Sequence, residues 1–187
     1  WHISDVLRTV PEPVLYLESL FGSLVAEQFG LQLLNPAVDW LPRLPEEYRK
    51  RWVTLTTLGE ARNRTEAAFV KPPNDKSFPA SVYVGSELPT GYDEDSPVLV
   101  AEVVTWEKEF RCFVLDRQPR TLSVYLRKGE LQREQNFAAT EIELAEAESF
   151  IRLVLNDPRV DLPRATVLDV GVLADRGWAV VEQNAAW

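Results

Sequence analysis

The end of the chain predicts a β-hairpin whose two apolar strands carry oxygen-bearing side chains. Residues 167–184 read VLDVGVLADRGWAVVEQN, and Asp169, Glu182 and Asn184 stand where a strand core would have hydrophobic residues. Two carboxylates that come close together repel each other unless a positive charge lies between them. Carboxylate and amide oxygens suit Mg²⁺ that carries substrate phosphates. A magnesium–nucleotide site is therefore the leading interpretation, and a purely structural acidic hairpin is the alternative.

The register of this hairpin decides whether the two acids meet. A two-residue turn at Asp175-Arg176 places Asp169 directly opposite Glu182. A bulge at Gly177 would shift this pairing by one residue. Because strand side chains alternate between the two faces of a sheet, Glu182 is also predicted to share a face with Val180.

The composition is that of an acidic globular domain. Of the 187 residues, 45% are hydrophobic and 26% are charged, which is enough for a core, and the formal net charge is −9. Such a chain is not expected to bind nucleic acid in bulk, since phosphate backbones need a basic surface. The single cysteine, Cys112, excludes an internal disulfide and suits a reducing cytoplasm, and the single histidine, His2, leaves no histidine set for zinc. No apolar run approaches the roughly 18 residues of a membrane span.

The pattern of elements predicts an α+β fold in two parts. Residues 1–64 are expected to form a small α/β N-terminal lobe, and residues 65–187 an antiparallel region with packed helices. Thr140 and Glu143 form a capping-box pair at the start of the last helix. The predicted helices cover residues 18–28, 57–62 and 140–155, and the predicted strands cover 31–34, 52–55, 67–71, 80–84, 97–104, 110–115, 122–126 and the final hairpin.

Two lysines lie beside a loop that is rich in proline and polar residues. Lys71 ends the apolar strand 67–71, and Lys76 lies inside the loop 72–78 that follows. A lysine at a strand end beside such a loop offers phosphates a point charge and free backbone N–H groups. We therefore predict that Lys71 and Lys76 bind nucleotide phosphates. The alternative is that both are solvated surface lysines.

A glutamate interrupts the apolar strand 97–104. A buried carboxylate is costly unless it accepts hydrogen bonds, and the amino group of adenine is a candidate donor to Glu102. The backbone of Val103 and Val104 could bind the remaining base edge, and Glu109 could accept the ribose hydroxyls. The alternative is that Glu102 faces solvent on a half-exposed sheet and binds no nucleotide.

Arg111 and Arg127 lie on two strands that are predicted to be neighbours. Arginines on adjacent antiparallel strands can converge on a phosphate or a carboxylate, which their planar guanidinium groups match. Ion pairs of a structural kind, with Glu109 or Glu130, are the alternative.

The order of these motifs resembles the ATP-grasp fold. That family has a strand lysine, a phosphate-covering loop, a hinge strand that ends in a glutamate, a ribose-binding acid and a final D…E-x-N metal set. The corresponding residues here are Lys71, the 72–78 loop, Glu102, Glu109, and Asp169 with Glu182 and Asn184. The spacing of the two metal acids is also similar to that of D-alanine–D-alanine ligase-type members.

Short motifs resemble, more narrowly, a little-characterised bacterial and phage branch named for two arginines and a lysine. The motifs are DWL at 39–41, LTTLGEAR at 55–62, AFVKP at 68–72, EFRCF at 109–113 and QNAAW at 183–187. The resemblance assigns Arg111, Arg127 and Lys71 to the three name-giving roles. There are two departures: the phosphate loop has no glycine, and Val167 stands where many ligases place an arginine. Arg111 or Arg127 would then supply that charge.

The resemblance implies an ATP-dependent ligase with ATP and Mg²⁺ as cofactors. ATP would phosphorylate a small-molecule or peptide carboxylate, and an amine or a thiol would attack the acylphosphate. Arg111 and Arg127 would hold the transferred phosphoryl group or the acceptor carboxylate. The alternatives are a non-catalytic nucleotide-binding or protein-interaction module of the same fold, and phosphoryl transfer without ligation.

Overall fold

The computed structural model describes residue 4 and residues 9–11, 19–74 and 76–187, so His2 and the predicted helix start at Glu18 lie outside it. The helices are α1 (Ser19–Gln28), α2 (Trp40–Arg43), α3 (Glu46–Arg49), α4 (Leu58–Arg62) and α5 (Glu141–Asn156), with a 3₁₀ turn at Gly85–Glu87. The strands are β1 (Val53–Thr57), β2 (Ala68–Lys71), β3 (Ser81–Tyr83), β4 (Pro97–Ala101), β5 (Trp106–Leu115), β6 (Gln118–Arg127), β7 (Glu130–Leu131), β8 (Ala165–Leu173) and β9 (Gly177–Asn184). None of the helices in the described part of the chain is long and apolar enough to cross a membrane.

The strands form two antiparallel sheets from consecutive parts of the chain. The first sheet has the strand order β1–β4–β2–β3, and the second has the order β7–β6–β5–β8–β9. Residues 102–105 link the two sheets, directly after β4. The predicted α+β class is confirmed.

The first sheet crosses the boundary that was predicted after residue 64. β1 pairs with β4 along its whole length, from Val53 opposite Ala101 to Thr57 opposite Pro97. A strand of the predicted N-terminal lobe is therefore part of the same sheet as β2, β3 and β4. The two sheets divide after Ala101.

Side-chain alternation along β5 places the main core on one face of the second sheet. Phe110, Cys112 and Val114 are buried in a cluster with the apolar stripe of α5. Glu109 and Arg111 alternate with these residues and so point to the other face. That face carries the candidate site. The α5 stripe consists of Ala147, Ile151, Val154 and Leu155.

Local sequence signals fix several element ends. The N–H of Glu143 donates to the Thr140 hydroxyl at 3.2 Å, and the N–H of Thr140 donates to the Glu143 carboxylate at 3.0 Å. The predicted capping box at the start of α5 is therefore confirmed. The turn between β5 and β6 consists of Asp116 and Arg117, whose φ angles of 51° and 58° are those of a two-residue hairpin turn.

Two of the strand predictions are wrong. Residues 31–34 form no strand, and the side chains of Leu31 and Leu34 are exposed rather than packed on a sheet. The predicted strand 97–104 ends at Ala101, which is the last residue of β4 to pair with both neighbouring strands. Glu102 therefore begins the link between the sheets.

Candidate functional site

Two neighbouring strands bring the acidic pair together. Asp169 of β8 lies directly opposite Glu182 of β9, and Val167 lies opposite Asn184. Asp169 is almost fully buried, with 1% of its surface exposed. The predicted cross-strand pairing of Asp169 and Glu182 is confirmed.

The hairpin reaches this pairing through two changes of register. Leu173 pairs with Gly177, so the turn is one residue longer than expected, and the register stays shifted as far as Val170 opposite Val180. A bulge between Asp169 and Val170 then restores it. The two-residue turn is therefore wrong, and the one-residue shift that was the alternative is present from Gly177 to Val180. The bulge cancels this shift at the acidic pair.

The bulge also determines which face Glu182 occupies. Val180 pairs with Val170, and both belong to the core that packs against α5. Glu182 pairs with Asp169, and the adjacent residues Asp169 and Val170 point to opposite faces of the sheet. Glu182 therefore faces away from Val180. The prediction that they share a face is wrong, because the bulge adds one residue between them.

Each of the two acids is bound by a cation from another strand. Nε of Arg111 lies 2.9 Å from Oδ1 of Asp169, and Nη2 lies 2.6 Å from Oδ2. Lys71, at the end of β2, donates to Oε2 of Glu182. The Asn184 amide donates to Asp169 at 3.2 Å and to Glu182 at 2.9 Å. The structure thus gathers five of the predicted site residues into one group, which we call the acidic cluster.

Burial and ion pairing shift the pKa values of the two acids in opposite directions. Burial raises the pKa of Asp169, and the hydrogen bonds from Arg111 offset this only in part. Burial also acts to raise the pKa of Glu182, but the charge and the hydrogen bond of Lys71 outweigh it and the pKa is lowered. Glu182 is therefore the acid that is held more firmly as a carboxylate.

A cavity of about 520 Å³ lies beside the acidic cluster, and we call it the inter-sheet cavity. Its volume falls in the range of about 300–1,000 Å³ that is usual for small-molecule sites. Its apolar wall comes from both sheets and includes Val53, Phe69, Leu99, Ala101 and Leu126. The predicted nucleotide-binding residues that line it are Lys71, Glu102, Val103, Val104 and Glu109.

Glu102 is fixed at the cavity wall by Arg176. The Nη1 and Nη2 atoms of Arg176 lie 2.9 and 2.6 Å from the two carboxylate oxygens of Glu102. Arg176 also donates to the carbonyl of Lys50 at 2.8 Å. Since Arg176 lies in the β8–β9 turn, it joins the acidic hairpin to the link between the sheets. The sequence did not predict this contact, because an arginine in a turn usually faces solvent.

The backbone next to Glu102 has open hydrogen-bonding groups. The N–H of Glu102 donates to the carbonyl of Trp52 at 3.1 Å. Val103 and Val104 follow it along the cavity wall, and neither makes a backbone hydrogen bond with any residue that the structure describes. Their N–H and C=O groups are therefore available to a ligand in the inter-sheet cavity.

Glu109 is a buried acid on the same cavity wall. Only 8% of its surface is exposed. Burial raises its pKa to about 7, and the negative charges of Asp169 and Glu182 add to this effect. The positive charges of Arg51 and Arg111 oppose it without cancelling it.

The raised pKa of Glu109 predicts a pH-dependent stability. The pKa is higher in the folded chain than its ordinary value of 4.5, so the unfolded chain releases the proton first and stability falls as pH rises from about 4.5 to about 7. Glu109→Gln removes this effect, so its stability relative to the wild type should increase by about 1–3 kcal/mol from about pH 5 to about pH 8. Urea unfolding of both proteins at the two pH values measures the increase. The same difference at both pH values would contradict the raised pKa.

The loop after β2 borders a second cavity of about 530 Å³. Lys76 lines this cavity together with Lys71, Glu182 and Asn184. Lys71 and Glu182 also line the inter-sheet cavity, so their ion pair lies where the two cavities meet. Lys76 is therefore close to the acidic cluster, on the side of the second cavity.

Arg127 lies on the opposite face of the second sheet from the acidic cluster. It pairs with Lys108, and its guanidinium lies 2.8 and 2.9 Å from the two carboxylate oxygens of Glu143. The cause is a bulge in β6 between the partners of Glu109 and Phe110, which reverses the faces of the residues beyond it. The structure does not bring Arg127 to the predicted site. Its ion pair is structural in kind, and its partner Glu143 was predicted only as a member of the capping box.

Other side chains at the inter-sheet cavity were not predicted. The buried guanidinium of Arg51 lies 5.0 Å from the ring centre of Trp106, and that of Arg111 lies 4.7 Å from the ring centre of Tyr125. Gly171, a glycine inside the apolar strand β8, is the one sequence signal for Trp106. A Cβ atom at this position would come within 2.8 Å of the Trp106 ring. A glycine inside an apolar strand marks such a close approach. No comparable signal marks Arg51 or Tyr125.

The donor atoms of the acidic cluster fit Mg²⁺. Asp169 and Glu182 provide carboxylate oxygens, and Asn184 provides an amide oxygen once its amide group rotates. Among the described residues, no three acidic, histidine or cysteine side chains form a group that could hold a metal ion. Mg²⁺ commonly takes one or two protein carboxylates and completes its shell with water and substrate phosphates. The site therefore suits a metal that arrives with a nucleotide.

Comparison with known protein families identifies the fold. The sequence model of an ATP-grasp domain, the second family of the clade named for two arginines and a lysine, matches residues 48–187, well over half of the chain. The chain belongs to this family. The predicted ATP-grasp fold is thus confirmed, as is the narrower resemblance to this branch. The match to the ATP-grasp family model begins before β1, in agreement with the pairing of β1 and β4.

Solved ATP-grasp structures share this fold at low sequence identity. The D-alanine–D-alanine ligase of Bacillus anthracis is similar with a TM-score of 0.54 and 14% identity, over 89% of this chain and 64% of the ligase. The structure of the same ligase complexed with ATP has a TM-score of 0.52 and 15% identity, over 89% of this chain and 61% of the ligase. A RimK domain ATP-grasp protein from Sphaerobacter thermophilus DSM 20745 has a TM-score of 0.50 and 15% identity, over 88% of this chain and 67% of that protein.

These similarities establish the fold of this ATP-grasp chain and not its reaction. The chain spans about two thirds of the length of each of these structures. No protein with a curated description matches it.

Proposed function

We propose that the chain is the nucleotide-binding part of an ATP-dependent ligase that joins a carboxylate to an amine or a thiol through an acylphosphate. The observation that carries this proposal is the position of the acidic cluster at the wall of the inter-sheet cavity. Lys71 and Glu182 are members of the acidic cluster and also line the inter-sheet cavity. The lysine that would bind phosphate and the acid that would bind metal therefore lie beside a cavity of suitable size for a nucleotide.

The wall of this cavity supports adenosine binding. Val103 and Val104 offer unpaired backbone groups to the edge of the base, and Glu102 offers carboxylate oxygens at the start of the same segment. Glu109 lies further along the wall on β5 and would accept the ribose hydroxyls. Arg111 lies two residues beyond Glu109 on the same face of β5, so the phosphates would lie beside the acidic cluster. This spacing follows the roughly 6.6 Å rise of two strand residues.

The acidic cluster would act on the phosphate end of the nucleotide. Asp169, Glu182 and Asn184 would hold Mg²⁺, which would supply positive charge to offset that of the phosphates. Lys71 would leave Glu182 and donate to a phosphate oxygen, which keeps its charge paired. Arg111 holds Asp169 in place, and 36% of its side chain remains exposed to meet the transferred group. Positioning and charge of this kind account for most of the catalysis of phosphoryl transfer.

One observation favours the non-catalytic alternative. Asp169 and Glu182 are each neutralised within the chain, by Arg111 and Lys71. A module of the same fold could keep these ion pairs permanently and bind no metal. The loop 72–78, which has no glycine, is in keeping with such a module.

Titration calorimetry with ATP separates these two candidates. The wild type should bind ATP more tightly with Mg²⁺ than without it, and Glu182→Ala should lose about 100-fold or more of the Mg²⁺-dependent affinity, since even residues that only support a metal ligand contribute about 10- to 100-fold. Glu148→Ala removes an exposed acid on α5 and serves as the matched control. Equal ATP affinity of the wild type with and without Mg²⁺ would favour the non-catalytic module.

The reaction type needs a separate measurement. A ligase should release phosphate from ATP only when both a carboxylate and an amine are present. A phosphotransferase should form ADP with the acceptor alone. Screening small amino acids and short peptides as carboxylates, with and without an added amine, distinguishes the two outcomes.

A further inference from the structure

Arg51 is a buried arginine whose hydrogen bonds all go to backbone carbonyls. It lies between α3 and β1, and 8% of its surface is exposed. Its guanidinium donates to the carbonyls of Val180 at 2.8 Å, Val181 at 2.9 Å and Arg49 at 3.0 Å. The negative charges of Glu109, Glu182 and Glu102 partly offset this buried charge. None of them accepts a hydrogen bond from Arg51, so the choice of backbone carbonyls as partners needs a physical explanation.

The contact depends on the bulge in β9. Successive carbonyls of a regular strand point to opposite edges, so one guanidinium cannot bind two in a row. Arg51 binds those of Val180 and Val181, because the register shift in this part of the hairpin brings both to the same edge. The edge faces away from β8, since β9 is the last strand of the second sheet. Arg51 therefore satisfies carbonyls that no further strand can pair.

The bulge is what gives the acidic cluster its geometry. In a regular strand, residues 180 and 182 share a face, and Glu182 would point into the core with Val180. The extra residue, Val181, turns Glu182 to the opposite face and sets it across from Asp169. The position of Asn184 depends on the same reversal, since it follows Glu182 by two residues.

We propose that Arg51 is a positioning residue for the metal-binding set, which it aligns by holding the β9 bulge. The structural part of this inference, that Arg51 holds the bulge, does not depend on the proposed function. Its consequence for Mg²⁺-dependent nucleotide binding rests on the proposed function. Lysine cannot replace Arg51, because a single ammonium group does not reproduce the planar fork that spans two carbonyls.

The first test is Arg51→Lys, with Arg152→Lys on the exposed face of α5 as the matched control. Calorimetry should show that Arg51→Lys reduces the Mg²⁺-dependent tightening of ATP binding by about 10- to 100-fold, as expected for a residue that supports metal ligands. Because Arg51 also lines the inter-sheet cavity, each variant's ATP affinity without Mg²⁺ is its own reference, and the tightening is the ratio of the two affinities. Unchanged Mg²⁺ dependence would overturn the inference.

The second test follows the strand register without any ligand. Cross-strand NMR contacts in the wild type should join residue 169 to residue 182, and these contacts should weaken or move in Arg51→Lys. If the wild type fails to bind ATP, the proposed function falls, and these contacts still decide the role of Arg51. Wild-type contacts in the variant would overturn that role.

A deletion provides the matched rescue. Removing Val181 makes β9 regular and places Glu182 next to Val180, so that it faces Asp169 without a bulge. The deletion in an Arg51→Lys background should therefore recover Mg²⁺-dependent ATP binding. An arginine that served only to hold the fold together would not be rescued in this way. If Arg51→Lys does not fold, the double variant still decides: recovery of folding and of Mg²⁺-dependent ATP binding supports the role of Arg51, and failure to recover them, in a chain where the deletion alone folds, overturns it.

Discussion

Replacing Phe110 with alanine is expected to lower the free energy of unfolding by about 3–5 kcal/mol, because the ring is completely buried and leaves a cavity. Phe110 has no exposed surface, and its ring centre lies 5.5 Å from that of Trp178. It lies in the core cluster shared by the second sheet and α5. The substitution therefore weakens the packing on the core face of β8 and β9, opposite the face that carries the acidic cluster.

The same strand supplies the control for this experiment. Phe113 points to the other face of β5 and is 45% exposed, so Phe113→Ala should cost less than about 1 kcal/mol. Urea unfolding of the two variants measures both values. Similar losses would contradict the assignment of faces along β5, on which the position of Arg111 and Glu109 also depends.

Replacing Arg111 with methionine is expected to lower the free energy of unfolding by about 2–4 kcal/mol, because the buried carboxylate of Asp169 loses its counter-charge. After the substitution, the hydrogen bond from Asn184, at 3.2 Å, would remain. The expected loss is below that for a fully buried pair, since 36% of the Arg111 side chain is exposed.

The stability loss in Arg111→Met should depend on pH. Burial already raises the pKa of Asp169, and removal of Arg111 raises it further. An acid whose pKa is raised by folding contributes less stability as pH rises, so the deficit should be larger at about pH 8 than at about pH 5. Arg152→Met, which breaks an exposed pair on α5, should change stability by less than about 0.5 kcal/mol at either pH. A pH-independent deficit would argue against Asp169 as the affected group.

Local signals predicted much of the fold. The capping box at Thr140 and Glu143 marks α5, and the acids in the apolar hairpin mark β8 and β9. These predictions succeeded because each depends on residues close together in the chain. The strand predicted at residues 31–34 failed because an apolar run forms a strand only where another strand is available to pair with it.

The site was predictable where its chemistry contrasts with its surroundings. Lys71, Asp169 and Glu182 stand out because charged residues interrupt apolar strands. Arg51 carries no such contrast: its partners are backbone carbonyls about 130 positions away in the chain, and every residue has a carbonyl. A sequence pattern cannot identify contacts of this kind.

Bulges account for the remaining errors at the site. Counting alternate residues from Val124 places Arg127 on the face of the acidic cluster, but a bulge in β6 turns it to the face of Glu143. In β9 a bulge likewise reversed the face of Glu182 relative to Val180. Side-chain alternation holds only for an uninterrupted ladder, and neither bulge contains a glycine that would have marked it.

A crystal structure of the chain with ADP and Mg²⁺ tests most directly whether the acidic cluster and the inter-sheet cavity form one nucleotide site. We expect the base against Val103 and Val104, Mg²⁺ about 2.0–2.1 Å from oxygens of Asp169 and Glu182, and Lys71 moved from Glu182 to a phosphate. Nucleotide bound outside the inter-sheet cavity, or an intact Lys71–Glu182 ion pair beside a bound nucleotide, would contradict this site.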